Sequence, residues 1–135
     1  ARRPELHVVS QACPLFVPLV EEGWGDDPVV ESVARRYLEP LLVDRVDTVV
    51  LGCTHYPMLA SVIQRVLGPE VTLVDSAEAT ALTVEATLAE LGLAEPEGGA
   101  APEDHFCVTD AGERFARIAG RFLGSDELSL EWVEV

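Results

Sequence analysis

Lysine is absent from this 135-residue chain: all nine basic side chains are arginine, set against 24 acids, and the net charge is −15. So acidic a chain neutralises phosphate poorly, which excludes nucleic acid as an expected partner. The same balance argues against docking on an anionic membrane surface. An anionic substrate would be opposed by the overall field, so its capture would rest on local donors in a pocket. The plainest role of the acids is solubility.

Long apolar runs are also missing. None approaches the ~20 residues of a membrane span. No segment carries the charged start, apolar middle and small-residue cleavage site of a secretory signal. The sequence opens on Ala1 rather than Met, so an upstream segment is expected. Cysteine is scarce: Cys13, Cys53 and Cys107 stand far apart, form no Cys-x-x-Cys and cannot all pair within one chain. A reduced, cytoplasmic protein is the expectation.

What is present is a globular composition, 48% hydrophobic and 24% charged, in a length typical of one domain. Leu6 to Val9 is a short strand candidate. Prolines and glycines (Pro14, Pro18, Gly23, Gly25) bracket an apolar stretch, Leu15 to Val20, that reads as a loop. From Val29 to Leu42 the apolar positions Val29, Val30, Val33, Tyr37 and Leu41 keep helical spacing, with Pro40 disturbing the last turn. Thr48 to Leu51 is continuously apolar after its first residue, as in a strand covered on both faces. Pro57 opens a helix over Met58 to Leu67, which Gly68-Pro69 stops.

Val71 to Val74 predicts a further strand, and Ala77 to Leu91 a helix that Gly92 caps. Residues 94–104 lack periodicity and read as a linker. Phe106 to Thr109 predicts a strand. Asp110 caps a helix over Ala111 to Leu123 with Phe115, Ile118, Ala119 and Phe122 on one face. Leu128 to Val135 alternates as an edge strand would. Strand and helix alternate along the chain, which gives the α/β class with a parallel sheet flanked by helices. There is no internal repeat.

Open α/β sheets hold ligands at the carboxyl ends of their strands. Cys53, Thr54 and His55 fall there, between the strand ending at Leu51 and the helix opened by Pro57. A thiol, a hydroxyl and an imidazole thus meet the backbone N–H groups and dipole of a helix start. That setting favours a thiolate at Cys53 with an anionic substrate group beside it. Cysteine is otherwise a small buried hydrophobe, which is the expectation for Cys13 and Cys107 with their apolar neighbours. For Cys53 both readings stand on composition alone; the nearby histidine and the turn favour chemistry. His7 and His105 are expected to be structural or exposed. A zinc site on Cys53 and His55 lacks further ligands at suitable spacing.

Several segments together resemble the glutamate racemase family, within the wider aspartate/glutamate racemase group. Gln11-Ala-Cys-Pro-Leu-Phe-Val-Pro-Leu-Val-Glu-Glu-Gly23 is similar to its central loop. Leu51-Gly-Cys-Thr-His-Tyr-Pro-Met-Leu59 resembles its second cysteine motif. Val74-Asp-Ser-Ala77 resembles the point where the chain leaves the second domain. Phe106 to Gly124 resembles the carboxyl-terminal strand and helix.

The resemblance implies cofactor-independent inversion of free glutamate, with no pyridoxal phosphate and no metal. Two cysteines on opposite faces of the α-carbon act as base and acid, and the site stabilises a carbanion-like transition state. Cys53 matches the cysteine that serves the L-isomer. His55 matches the group that assists it, and Thr54 a contact to the substrate carboxylate. Glu21 matches a loop acid of the site, with the adjacent Glu22 and a merely solvated acid left open. Aspartate racemases tend to carry Glu after Cys-Thr, so His55 points to glutamate. The product, D-glutamate, feeds peptidoglycan synthesis in a bacterial cytoplasm.

The resemblance also implies what this chain lacks. The family's Asp-Ser motif, Pro-Tyr-Gly loop and Ala-Cys-Asn-Thr segment with the first catalytic cysteine are not in the sequence, and Cys13 lies in the Ala-Cys-Pro loop instead. Residues 1–75 are then expected to form part of the second domain of a two-domain racemase fold. Residues 76–135 would return to pack on the first domain, whose amino-terminal part is absent. The expected partners are glutamate and that amino-terminal half, and the resemblance allows a homo-oligomer. A chain of this kind is expected to be inactive alone and to expose apolar surface. The competing readings are a racemase of aspartate or hydantoins, a cysteine-nucleophile hydrolase using Cys53 and His55, and a non-catalytic fragment.

Overall fold

Prolines that suggest a loop near the start of the chain sit instead where a helix tolerates them. The computed structural model describes residues 5–95, 104–110, 112–125 and 128–134. In it α1 spans Phe16–Glu22. Pro18 occupies its first turn, where a backbone N–H has no partner within the helix. Gly23, at φ 85°, closes α1 in the left-handed conformation, which glycine adopts without steric cost. The loop expected over Leu15 to Val20 is therefore a helix. The strand expected over Leu6 to Val9 does not form; Leu6 and Val8 are exposed. A strand needs a neighbour for its backbone groups, and apolar alternation alone does not provide one.

Helix α2, Pro28–Val43, starts where the sequence indicates: Pro28 is at its first position and the Asp27 side chain accepts from Val29 N at 2.7 Å. It continues through Pro40. Its buried face is Val30, Ala34, Leu38 and Leu41, rotated from the expected stripe, so that Val29 is exposed. Strand β1, Thr48–Val50, pairs in parallel with β2, Thr72–Val74, placing Val49 opposite Leu73. Successive strand residues face opposite sides. Val49 and Leu73 pack on the core while Val50 and Val74 remain exposed. The expectation of cover on both faces holds for one face only among the described residues.

A 3-10 turn, Tyr56–Leu59, precedes α3, Ala60–Leu67. The helix expected from Met58 thus begins later. Gly68, at φ 89°, ends it, and Gln64 Nε2 donates to the carbonyls of Gly68 and Val71, tying α3 to the approach of β2. The largest fully buried side chains are Phe16, Leu59, Ile63, Val30 and Val62. Phe16 meets the rings of Tyr37 and Tyr56 edge-on at 5.6 and 5.3 Å. Helix α4, Ser76–Glu90, follows with Asp75 Oδ1 accepting from Ala77 N at 2.8 Å.

Contacts divide the chain into two units, Ala1–Thr87 and Leu88–Val135. In the second, β3 (Phe106–Val108) and β4 (Leu130–Trp132) pair in parallel, joined through α5 (Gly112–Leu123). Val108 is buried, Phe115 and Phe122 are exposed, and Cys107, expected inside, is exposed. Cys107 lies on the pleat face opposite the one Phe106 and Val108 share. Most of the expected linker over residues 94–104 lies outside the described residues. Among the described residues no helix is long and apolar enough to cross a membrane.

Candidate active site

Cys53, Thr54 and His55 follow the carboxyl end of β1. Leu51 N donates to Val74 O at 2.8 Å, so the two strands hold the chain up to the turn. Tyr56 N donates to Cys53 O at 3.1 Å, and Met58 N to His55 O at 3.1 Å. These bonds curl the segment before the 3-10 turn. Cys53 and His55 are half-buried and Thr54 is exposed.

The His55 imidazole has a different partner on each side. Nε2 lies 3.5 Å from Glu21 Oε1, with both side chains about a quarter exposed, and Nδ1 lies 3.4 Å from Thr54 Oγ1. Both separations are longer than a well-formed hydrogen bond. The first suits a charge interaction when the ring is protonated. A neutral ring donating from Nε2 towards Glu21 would accept at Nδ1. Glu22, adjacent to Glu21, is exposed. Of the residues singled out in the sequence, Glu21, Thr54 and His55 therefore meet, with Cys53 on the same turn.

Sequence reading missed the supporting shell. Tyr56 Oη donates to Cys13 O at 3.2 Å, linking the turn to the start of α1. Burial pushes the Tyr56 phenol above its ordinary value, and negative charge on Cys13 or Cys53 in the thiolate form pushes the same way. Burial likewise raises the Cys13 thiol, which fits its expected place as a packed hydrophobe. Beyond α1, Asp26 Oδ1 accepts from Ser61 Oγ at 3.1 Å and from Arg65 Nη2 at 2.9 Å. Those hydrogen bonds hold the Asp26 carboxyl below the usual range. No local pattern announces a pair 39 residues apart. His7 is exposed outside any strand, and His105 is exposed just before β3. Among the described residues no group of three His, Cys, Asp or Glu side chains is placed to hold a metal ion.

Known proteins are similar to this chain in sequence and in fold. A glutamate racemase of Syntrophus aciditrophicus is 49% identical over 132 residues, covering 98% of this chain and 48% of that protein. The crystal structure of glutamate racemase isoform RacE1 from Bacillus anthracis matches with a TM-score of 0.84 and 36% identity, over 97% of this chain and 48% of that one. A glutamate racemase from Francisella tularensis in complex with D-glutamate matches with a TM-score of 0.85 and 33% identity, over the same shares. The chain spans about half the length of the relatives it matches. A family model described as Asp/Glu/Hydantoin racemase matches residues 8–84, which hold α1, β1, the cysteine turn and β2; the chain belongs to that family.

Proposed function

We propose that this chain supplies one half of a cofactor-independent glutamate racemase site. The observation that carries the reading is the grouping at the end of β1: Cys53 on the turn, and His55 between Thr54 and Glu21. The α-carbon proton of an amino acid is weakly acidic, so inversion needs a base on one face and an acid on the other. Cys53 serves one face, taking the proton as thiolate or returning it as thiol. His55, backed by Glu21, assists that transfer, and Thr54 contacts the substrate carboxylate. The opposite face needs a second cysteine from outside this chain. Residues 76–135 then pack on the domain that brings it. D-Glutamate made in a bacterial cytoplasm would enter peptidoglycan.

The relatives named glutamate racemase, one of them solved with D-glutamate, support this substrate over aspartate or a hydantoin. A chimera tests it, with this chain replacing the matching region of the Syntrophus aciditrophicus relative. In D2O the chimera should interconvert L- and D-glutamate with deuterium at the α-carbon, turn over aspartate poorly, and lose activity with Cys53→Ser. The chain alone should racemise neither glutamate nor aspartate. An acyl group trapped on Cys53 without α-carbon exchange would instead show a cysteine hydrolase. Racemisation by the chain alone, abolished by Cys53→Ser, would overturn the half-site.

A further inference from the structure

Glu21 and His55 belong to different segments, and their 3.5 Å separation depends on how α1 sits against the turn and α3. Helix α1 has seven residues, too few to be stable without tertiary contacts. Its position is set at both ends by the same neighbouring stretch. At the start, Cys13 O accepts from Phe16 N at 3.1 Å and from Tyr56 Oη at 3.2 Å. Past the end, Trp24 N donates to Leu19 O and Asp27 N to Trp24 O, which fold the chain into a tight turn. Asp26 on that turn accepts from Ser61 and Arg65, one helical turn apart on α3. Arg65 Nε also lies 3.7 Å from Glu31 Oε2 on α2, so one guanidinium ties three segments.

We infer that Asp26 and Arg65 are positioning residues, whose clamp between the α1–α2 turn and α3 sets the separation of Glu21 from His55. Glu21 precedes Asp26 by five residues and His55 precedes Ser61 by six, so both arms from clamp to contact are short. Releasing the clamp removes the side-chain tie between the α1–α2 turn and α3. The two charges are well exposed, at 71% and 48%. Exposed pairs contribute little to global stability. Their effect on the site is therefore separable from an effect on folding. The consequence for catalysis rests on the proposed racemase site; the geometric claim does not.

The ring nitrogens of His55 report on the contact in the 135-residue chain without substrate. Long-range 1H–15N spectra are recorded for the parent, Asp26→Ala, Arg65→Ala, the double variant and Asp26→Asn, with Glu21→Gln marking the signals of a ring without its carboxylate. Asp26→Ala and Arg65→Ala should each shift the His55 signals towards those of Glu21→Gln, at an unchanged thermal midpoint. The double variant should go no further than either single one, as expected for one coupled unit. Asp26→Asn, which keeps an acceptor for Ser61 and Arg65, should stay with the parent. If Glu21→Gln moves the signals and the clamp variants do not, the clamp is only a surface ion pair and the inference fails. If Glu21→Gln leaves them unmoved, the contact is not made in solution and the inference fails as well. A chimera that racemises glutamate while the His55 signals ignore Asp26 would sink the clamp and leave the function standing. The reverse pattern would do the opposite.

Discussion

The two units handle their apolar side chains differently. In residues 1–87, α1, α2, the 3-10 turn and α3 enclose a core in which Phe16, Val30, Leu59, Val62 and Ile63 are fully buried. In residues 88–135, Val108 is the buried hydrophobic residue among those described, and α5 leaves Phe115 and Phe122 exposed. Both contain helices with clear apolar stripes. An apolar stripe fixes which face a helix will bury, but burial needs another surface to meet it. The first unit provides that surface from its own residues, and it is also where the cysteine turn sits. A site that must hold groups within tenths of an ångström belongs on the part whose packing is closed.

The comparison breaks most directly at Phe16. Phe16→Ala removes a 1%-exposed ring that two tyrosines meet edge-on. It should destabilise the first unit by about 3–5 kcal/mol, read as a lowered urea midpoint. Little loss would mean that the core is less closed than its burial implies. Gly120→Ala tests the second unit: an added Cβ would lie 2.6 Å from the backbone oxygen of Ser125. The helix gain of alanine over glycine, up to about 1 kcal/mol, should lose to overpacking of about 1–3 kcal/mol, seen as faster amide exchange in α5.

Phe122→Ser should sharpen the contrast with Phe16→Ala. The ring is 42% exposed, so the loss should be below about 1 kcal/mol. Self-association of the chain, followed by analytical ultracentrifugation, should decrease. The smallest expected effect is an alkaline one. Burial raises Cys13 and Tyr56 above their ordinary values of 9.0 and 10.0. The folded first unit therefore holds protons that the unfolded chain releases. Its stability is complete below pH 9.0 and declines as pH rises through the raised values. Urea midpoints from about pH 8 to about pH 10.5 should fall, and less steeply in Cys13→Ala.

Local chemistry made some of this legible in the sequence. The helical spacing from Val29 to Leu42 marked α2, and a capping carboxylate at Asp27 with a proline at the first helical position starts it through near neighbours. Gly68 and Gly92 marked helix ends, and both have positive φ. Helix α1 was not legible, because Pro18 reads as a breaker unless the helix start is known. The exposed face of β1 was not legible either. A continuous apolar run shows that a strand suits cover on both faces, not that both covers lie among the described residues.

The sequence by itself determined that a thiol, a hydroxyl and an imidazole stand side by side between a strand and a helical turn. Covalent spacing fixes that arrangement. Which acid faces the imidazole was decided only by tertiary structure. Glu21 and Glu22 are equivalent in composition and adjacent in sequence. Only the packing of Phe16 on Tyr56 and Tyr37, with Tyr56 tied to Cys13 and Arg65 to Asp26, brings Glu21 within 3.5 Å of His55 and leaves Glu22 in solvent. A contact across 34 positions of chain is set by the volumes and hydrogen bonds of the side chains between the two segments. No local rule carries that information.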